Sequence, residues 1–128
     1  MPAWADYKSE AKQRGALALE LYVVRSTPAK TPEALRAVLP DHLEYQAKQE
    51  AAGNLVFAGP VSDPTGEAMQ GEGMIIYRAA SLEEARGLAD ADPMHQTGTR
   101  TYDLRRWLVN EGSLSVEVRL SGQSVTVR

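Results

Sequence analysis

Two helix-start signals, each set between strand-like runs, constrain this chain more than any other feature. Thr31-Pro32-Glu33 offers an N-cap hydroxyl, a proline in the first turn and an acid near the positive end of the helix dipole. Ser81-Leu82-Glu83-Glu84 has the capping-box spacing, with serine and glutamate three apart. Before the first signal, Ala16 to Ser26 alternates. Leu17, Leu19, Leu21 and Val23 share one face; Ala18, Glu20, Tyr22 and Val24 share the other. Both faces are largely apolar, which predicts a central strand.

The first helical pattern runs from Thr31 to Ala52 and stops at Gly53-Asn54. Pro40 interrupts it, so the helix either kinks there or gives way to a second helix. Leu35, Val38, Leu39, Leu43 and Ala47 mark its buried side, with His42 at the margin of that stripe. Leu55 to Ala58 reads as a short strand, Ser62 to Gly73 as a loop or wide hairpin connection, and Met74 to Ala79 as a strand. The second helix buries Leu82, Ala85, Leu88 and Ala89; Asp92 continues that spacing and Pro93 ends the helix. Thr99 to Leu108 is a strand of alternating character. A short polar helix, Trp4 to Arg14, precedes this set and stops at Gly15. A hairpin turning at Ser121-Gly122 follows it.

The order of elements predicts an α+β fold. It is a ferredoxin-like βαββαβ sheet with helices on one face, an added N-terminal helix and a C-terminal β-hairpin. One domain is expected over 1–128, with its core at about 16–108 and the hairpin at 112–128, because 128 residues is the size of one domain. Helices on one face leave the other face of the sheet uncovered. Its apolar residues predict a second subunit, with the hairpin wrapping that partner or extending the sheet edge.

Composition removes several functions. A net charge of −3 gives no electrostatic support for nucleic-acid binding. The absence of cysteine excludes disulfides, thiolate catalysis and cysteine-ligated metals. No apolar run approaches the roughly 20 residues needed to cross a bilayer, and the first residues lack the apolar segment of a signal peptide. A cytoplasmic location is therefore expected. Gly71-Glu72-Gly73 is not a phosphate loop, since no helix start or suitably placed lysine follows.

The chain has two histidines, and His42 with Asp92 forms the best candidate for chemistry. Each closes an apolar stripe, where a titratable group can be held out of bulk water. A carboxylate that accepts from one imidazole nitrogen fixes the tautomer and leaves the other nitrogen as a base. The plainer alternative is that Asp92 caps a helix end while His42 is a half-buried polar group. His95 is a possible second acid/base. It would also be a metal co-ligand with His42 and Asp92, but no metal-binding spacing supports that and no metal site is expected. Arg25 and Arg100 would neutralise an anionic substrate or an enolate, or else are strand-end residues in solvent.

These residues also occur in a familiar order. His42 stands early in a long helix, Gly53-Asn54-Leu55 leads to Ala58-Gly59-Pro60, Ser81-Leu82-Glu83-Glu84-Ala85 follows, and Asp92-Pro93 precedes Gly98 and Trp107. Over Leu21 to Trp107 this resembles the YCII-related (YciI-like) family. The resemblance implies a ferredoxin-like subunit of the dimeric α+β barrel superfamily, usually a homodimer whose sheets face one another. It also implies an active site built on a His–Asp pair, with His42 and Asp92 in those positions. A few relatives resemble dehydrochlorinase or isomerase-like enzymes of aromatic breakdown. Met94 stands where many relatives have an aromatic residue, His95 is an extra titratable group, and the segments up to Gly15 and from Ser113 lie outside the common core.

The resulting expectation is a small-molecule lyase or isomerase that uses no cofactor. His42 is its base and Asp92 the orienting partner; His95, Arg25 and Arg100 contact substrate. A homodimer and a small-molecule ligand are the expected partners, with no nucleic acid and no membrane. The rival readings are a non-catalytic ligand-binding or accessory module with the same pocket, and an assembly protein whose pocket is filled by side chains.

Overall fold

A computed structural model describes residues 1–128. The elements in chain order are α1 (Trp4–Gln13), β1 (Leu19–Pro28), α2 (Pro32–Ala51), β2 (Leu55–Pro60), β3 (Gly73–Tyr77), α3 (Leu82–Ala91), α4 (Pro93–Gln96), β4 (Arg100–Val109), β5 (Val116–Arg119) and β6 (Ser124–Val127). Both predicted caps form. Thr31 Oγ1 accepts from the Ala34 N–H at 3.2 Å and Ser81 Oγ from the Glu84 N–H at 3.1 Å. Glu84 reaches back to the N–H of Ala80, at 3.3 Å, one residue earlier than a standard capping box.

The four-stranded sheet has the order β2-β3-β1-β4. Each crossover through a helix therefore skips one strand: β3 lies between β1 and β2, and β1 lies between β3 and β4. This is the interleaved split-βαβ arrangement of the ferredoxin-like fold. β1 is internal, as its two apolar faces require. It pairs antiparallel with β3, which also pairs antiparallel with β2.

The register sets the core. Tyr22 is opposite Tyr77 and Val24 is opposite Ile75, so four large side chains share one face. They pack with Ala85 and Ala89 of α3, both fully buried. Alanine at these two positions lets the helix backbone approach the aromatic layer closely. Ile76, Met74 and Phe57 fall on the opposite face by the same alternation.

Several boundaries differ from the sequence reading. The first strand starts at Leu19, not Ala16, because Ala18 has a left-handed φ of 51° that breaks the extended run; Leu17 is 63% exposed. α2 continues through Pro40, which removes one interior hydrogen bond without ending the helix. No residue of α2 is fully buried. Its more sheltered row is Leu35, Val38, His42, Tyr45 and Gln49, whereas Leu39, Leu43 and Ala47 are exposed. Pro93 ends α3 as expected but also begins α4, a short helix absent from the sequence reading.

The chain divides into two compact units, residues 20–107 and residues 1–19 with 108–128. The first holds the split-βαβ core. In the second, Ala16 N–H donates to Ala11 O and Leu17 N–H to Asn110 O, each at 3.0 Å. β5 and β6 form their own two-stranded sheet and do not extend the edge of the larger one. Their register puts Val116, Val118, Val125 and Val127 on one face, all at least 60% exposed. No helix is long and apolar enough to cross a membrane.

Candidate functional site

Asp92 occupies the joint between α3 and α4. Its backbone is extended (φ −61°, ψ 124°), which ends the first helix and caps the second. The following proline favours that extended conformation and fits the first turn of α4. Asp92 Oδ1 accepts the Met94 N–H at 2.9 Å, so the helix start orients the carboxylate. The side chain is completely buried.

His42 reaches this carboxylate from α2. Its Nδ1 lies 2.8 Å from Oδ1 and 2.9 Å from Oδ2 of Asp92. A carboxylate can only accept, so Nδ1 carries the proton and, in the neutral ring, Nε2 holds the lone pair. Nε2 has no hydrogen-bond partner in the protein, and the side chain keeps 15% of its exposure. Tyr45, one turn along α2, donates to the Leu88 carbonyl at 2.6 Å and ties that helix to α3. Burial pushes the Tyr45 phenol above its ordinary pKa, and the charge of Asp92 adds to that. It therefore serves as a neutral donor.

His42 lines a cleft of about 470 Å³ within the 20–107 unit, a volume suited to a small molecule. Leu35, Leu39 and Leu43 of α2 and Met94 of α4 give it an apolar wall; Ser26 and Arg100 bring polar groups. This explains the exposure of Leu39 and Leu43: they face the cleft and not the core. His42 sits where the core-facing and cleft-facing rows of α2 meet.

A second hydrogen-bonded chain runs beside the first. Arg100 Nε donates to Ser26 Oγ at 2.8 Å, and Nη2 donates to the carbonyls of Ser26, at 2.8 Å, and Gly71. Ser26 Oγ lies 2.8 Å from His95 Nε2, and His95 Nδ1 donates to the Ala89 carbonyl at 2.8 Å. A carbonyl can only accept, so Nδ1 carries the His95 proton and the Ser26 hydroxyl donates to Nε2. Burial lowers the pKa of His95, outweighing the Ala89 carbonyl and Asp92, which raise it; Arg100 and His42 lower it further. Burial likewise lowers that of Arg100.

The structure thus brings His42 and Asp92 together and puts Arg100 on the cleft. His95 does not line the cleft; it stands behind Ser26 with both nitrogens engaged. Arg25 is not on the wall either. It pairs with Glu72, which is, at 2.6 and 3.0 Å. No group of three or more His, Asp or Glu side chains is placed to hold a metal ion. The sequence reading did not single out Ser26. Its signal was its phase: it follows Tyr22 and Val24 on the core-facing side of β1 and is 3% exposed, so a buried hydroxyl there needed partners.

Comparison with known proteins places these features in a family. The chain is similar to the uncharacterised protein YjpA of Bacillus subtilis (strain 168), at 33% identity over 66 residues, covering 52% of this chain and 71% of the relative. Among solved structures it is similar to the 5-chloro-2-hydroxyhydroquinone dehydrochlorinase TftG of Burkholderia phenoliruptrix AC1100, in complex with 2,5-dihydroxybenzoquinone. That likeness has a TM-score of 0.49 and 18% identity, over 68% of this chain and 92% of the other. The sequence pattern of the YCII-related domain matches residues 18–108, a span that includes His42, Asp92 and the whole split-βαβ core. By that match the chain belongs to the YCII-related domain family.

Proposed function

We propose that this protein is a small-molecule lyase or isomerase in which His42 is the general base and Asp92 its orienting partner. The observation that carries the reading is one arrangement: a buried carboxylate holds His42 Nδ1–H at 2.8 Å, while Nε2 is left without a protein partner on an apolar cleft. In the proposed step Nε2 takes a proton from carbon next to a carbonyl, and the electron pair moves onto the carbonyl oxygen. The imidazolium so formed keeps its Nδ1–H on Asp92, whose negative charge favours it. Return of the proton to a different carbon completes an isomerisation; departure of a leaving group with its electron pair completes an elimination.

Proton exchange with solvent tests this even while the physiological substrate is unidentified. The protein is incubated in deuterium oxide with a panel of enolisable carbonyl compounds and phenols, and label incorporation or product is followed by proton NMR. Turnover of at least one panel member is expected, with losses of roughly 10²- to 10⁴-fold in His42→Ala and Asp92→Asn. Both variants should bind the same compound and keep the wild-type circular dichroism spectrum. Full activity in both variants removes the assignment. Saturable binding with no turnover by the wild type favours a non-catalytic ligand-binding module in the same cleft.

A further inference from the structure

The Arg100 guanidinium is a half-buried cation with no carboxylate hydrogen-bonded to it. Its three acceptors, Ser26 Oγ and the carbonyls of Ser26 and Gly71, are all neutral. They take the Nε–H and both N–H groups of Nη2. Nη1 keeps two N–H donors with no acceptor in the protein, and the residue lines the cleft. Glu72 is the single carboxylate on that lining, and it is already held by Arg25 through two hydrogen bonds. Arg36 adds a further cation to the wall. The charge of Asp92 acts on Arg100 from a distance, but burial outweighs it, and an anion arriving at Nη1 in the cleft offsets the cost of taking the guanidinium from water.

The guanidinium is also fixed in orientation. Ser26, 3% exposed, accepts from Nε and turns its own proton to His95, whose other nitrogen is anchored on Ala89. The Gly71 carbonyl fixes Nη2. Only glycine suits that position: φ is +94°, and a Cβ would stand 2.7 Å from Pro28 Cγ. Two separate supports therefore hold one face of the guanidinium and leave Nη1 for something else.

Taking the same cleft as the proposed function and resting on that reading for its location, we propose that its ligands are small organic oxyanions. A compact apolar body lies against Leu35, Leu39 and Leu43, and a carboxylate or enolate oxygen is received by Arg100 Nη1. Ser26 and His95 are positioning residues that act through Arg100. In the proposed reaction the oxygen that gains charge when His42 removes the proton is the one that Arg100 receives.

Benzoate and benzamide test this as a pair matched in size and differing in charge. Their binding is measured by calorimetry and by NMR of the arginine Nε–H resonances. Benzoate should bind saturably, move the Arg100 Nε–H signal and bind roughly tenfold or more tightly than benzamide, the scale of one charge-assisted hydrogen bond. Arg100→Gln should erase that preference, while Arg100→Lys, which keeps the charge without the fork, should retain part of it. Ser26→Ala should reduce the acid-to-amide ratio severalfold, a change that a merely structural role does not produce. Equal affinity for acid and amide, an undiminished preference in Arg100→Gln, or no saturable benzoate binding each overturns the proposal. The readout is equilibrium binding, so failure of the acid–base assignment would leave this result standing.

Discussion

His95 shows how a buried histidine ties stability to pH. Its Nδ1–H must donate to the Ala89 carbonyl, its Nε2 accepts from Ser26, and burial holds its pKa below the ordinary value of about 6.5. In the unfolded chain the ring takes up a proton as pH falls through about 6.5; in the folded chain it resists until lower pH. The unfolded state therefore binds more protons in that window, and stability falls as pH falls. One group contributes at most about 1.4 kcal/mol per pH unit. The thermal midpoint of the wild type should thus drop further between pH 7.5 and pH 5.5 than that of His95→Gln, which has no ring to protonate. Parallel losses in the two proteins would remove His95 as the source. At this scale the sequence was legible for the contact between His42 and Asp92, whose hydrogen-bonding groups are complementary. It was not legible for His95, because both of its partners come from other elements: Ser26 from β1 and the Ala89 carbonyl from α3.

α2 shows where periodicity misleads at the scale of an element. Leu35, Leu39 and Leu43 have the spacing of a core-facing stripe, yet they line an open cleft, and Leu39 and Leu43 are 41% and 53% exposed. The row turned toward α3 and the sheet includes His42, Tyr45 and Gln49, which carry polar groups. Hydrophobic spacing reports which face is apolar, not whether that face meets the protein's own core or a ligand. Caps were read correctly because their chemistry is local: a hydroxyl and an N–H three residues later need nothing else. The break at Asp92 was visible from its proline, but the helix that begins there was not, because four residues are too few to show a period. Pro40 carries a prediction of its own. It is exposed, lies inside a continuous helix and has no N–H for the carbonyl of Arg36. Pro40→Ala restores that bond and the better helix former, offset in part by the greater freedom of the unfolded chain. A net gain of about 1–2 kcal/mol is expected in urea unfolding. An unchanged or lower midpoint would mean that the proline ring makes a packing contribution that the alanine loses.

At the scale of the whole molecule, what remains uncovered is informative. Helices occupy one face of the four-stranded sheet, and the alternation that buries Tyr22, Val24, Ile75 and Tyr77 sends Phe57, Met74 and Trp107 to the other. Phe57 is 53% exposed and Trp107 41%. Large aromatic residues on a sheet face are strongly stabilised by leaving water, and α3 packs on the other face, against Tyr22, Val24, Ile75 and Tyr77. The one-sided placement of the crossover helices was legible in the order of the elements, since two helices joined by split crossovers cover one side only. The role of the hairpin was not, because every valine of its apolar face is at least 60% exposed and a two-stranded sheet is marginal alone. We propose that a second copy of the chain covers the sheet face, as the family resemblance implies. Light scattering should then give twice the chain's 14.0 kDa at micromolar concentration. Phe57→Glu combined with Trp107→Glu should shift the mass toward the monomer, because two carboxylates brought into an apolar interface lose hydration without gaining partners. The His42–Asp92 pair lies on the helix side of the sheet and should keep its NMR signature in that variant. A wild-type protein that is monomeric at every concentration would refute the dimer and leave these aromatics as solvent-facing residues.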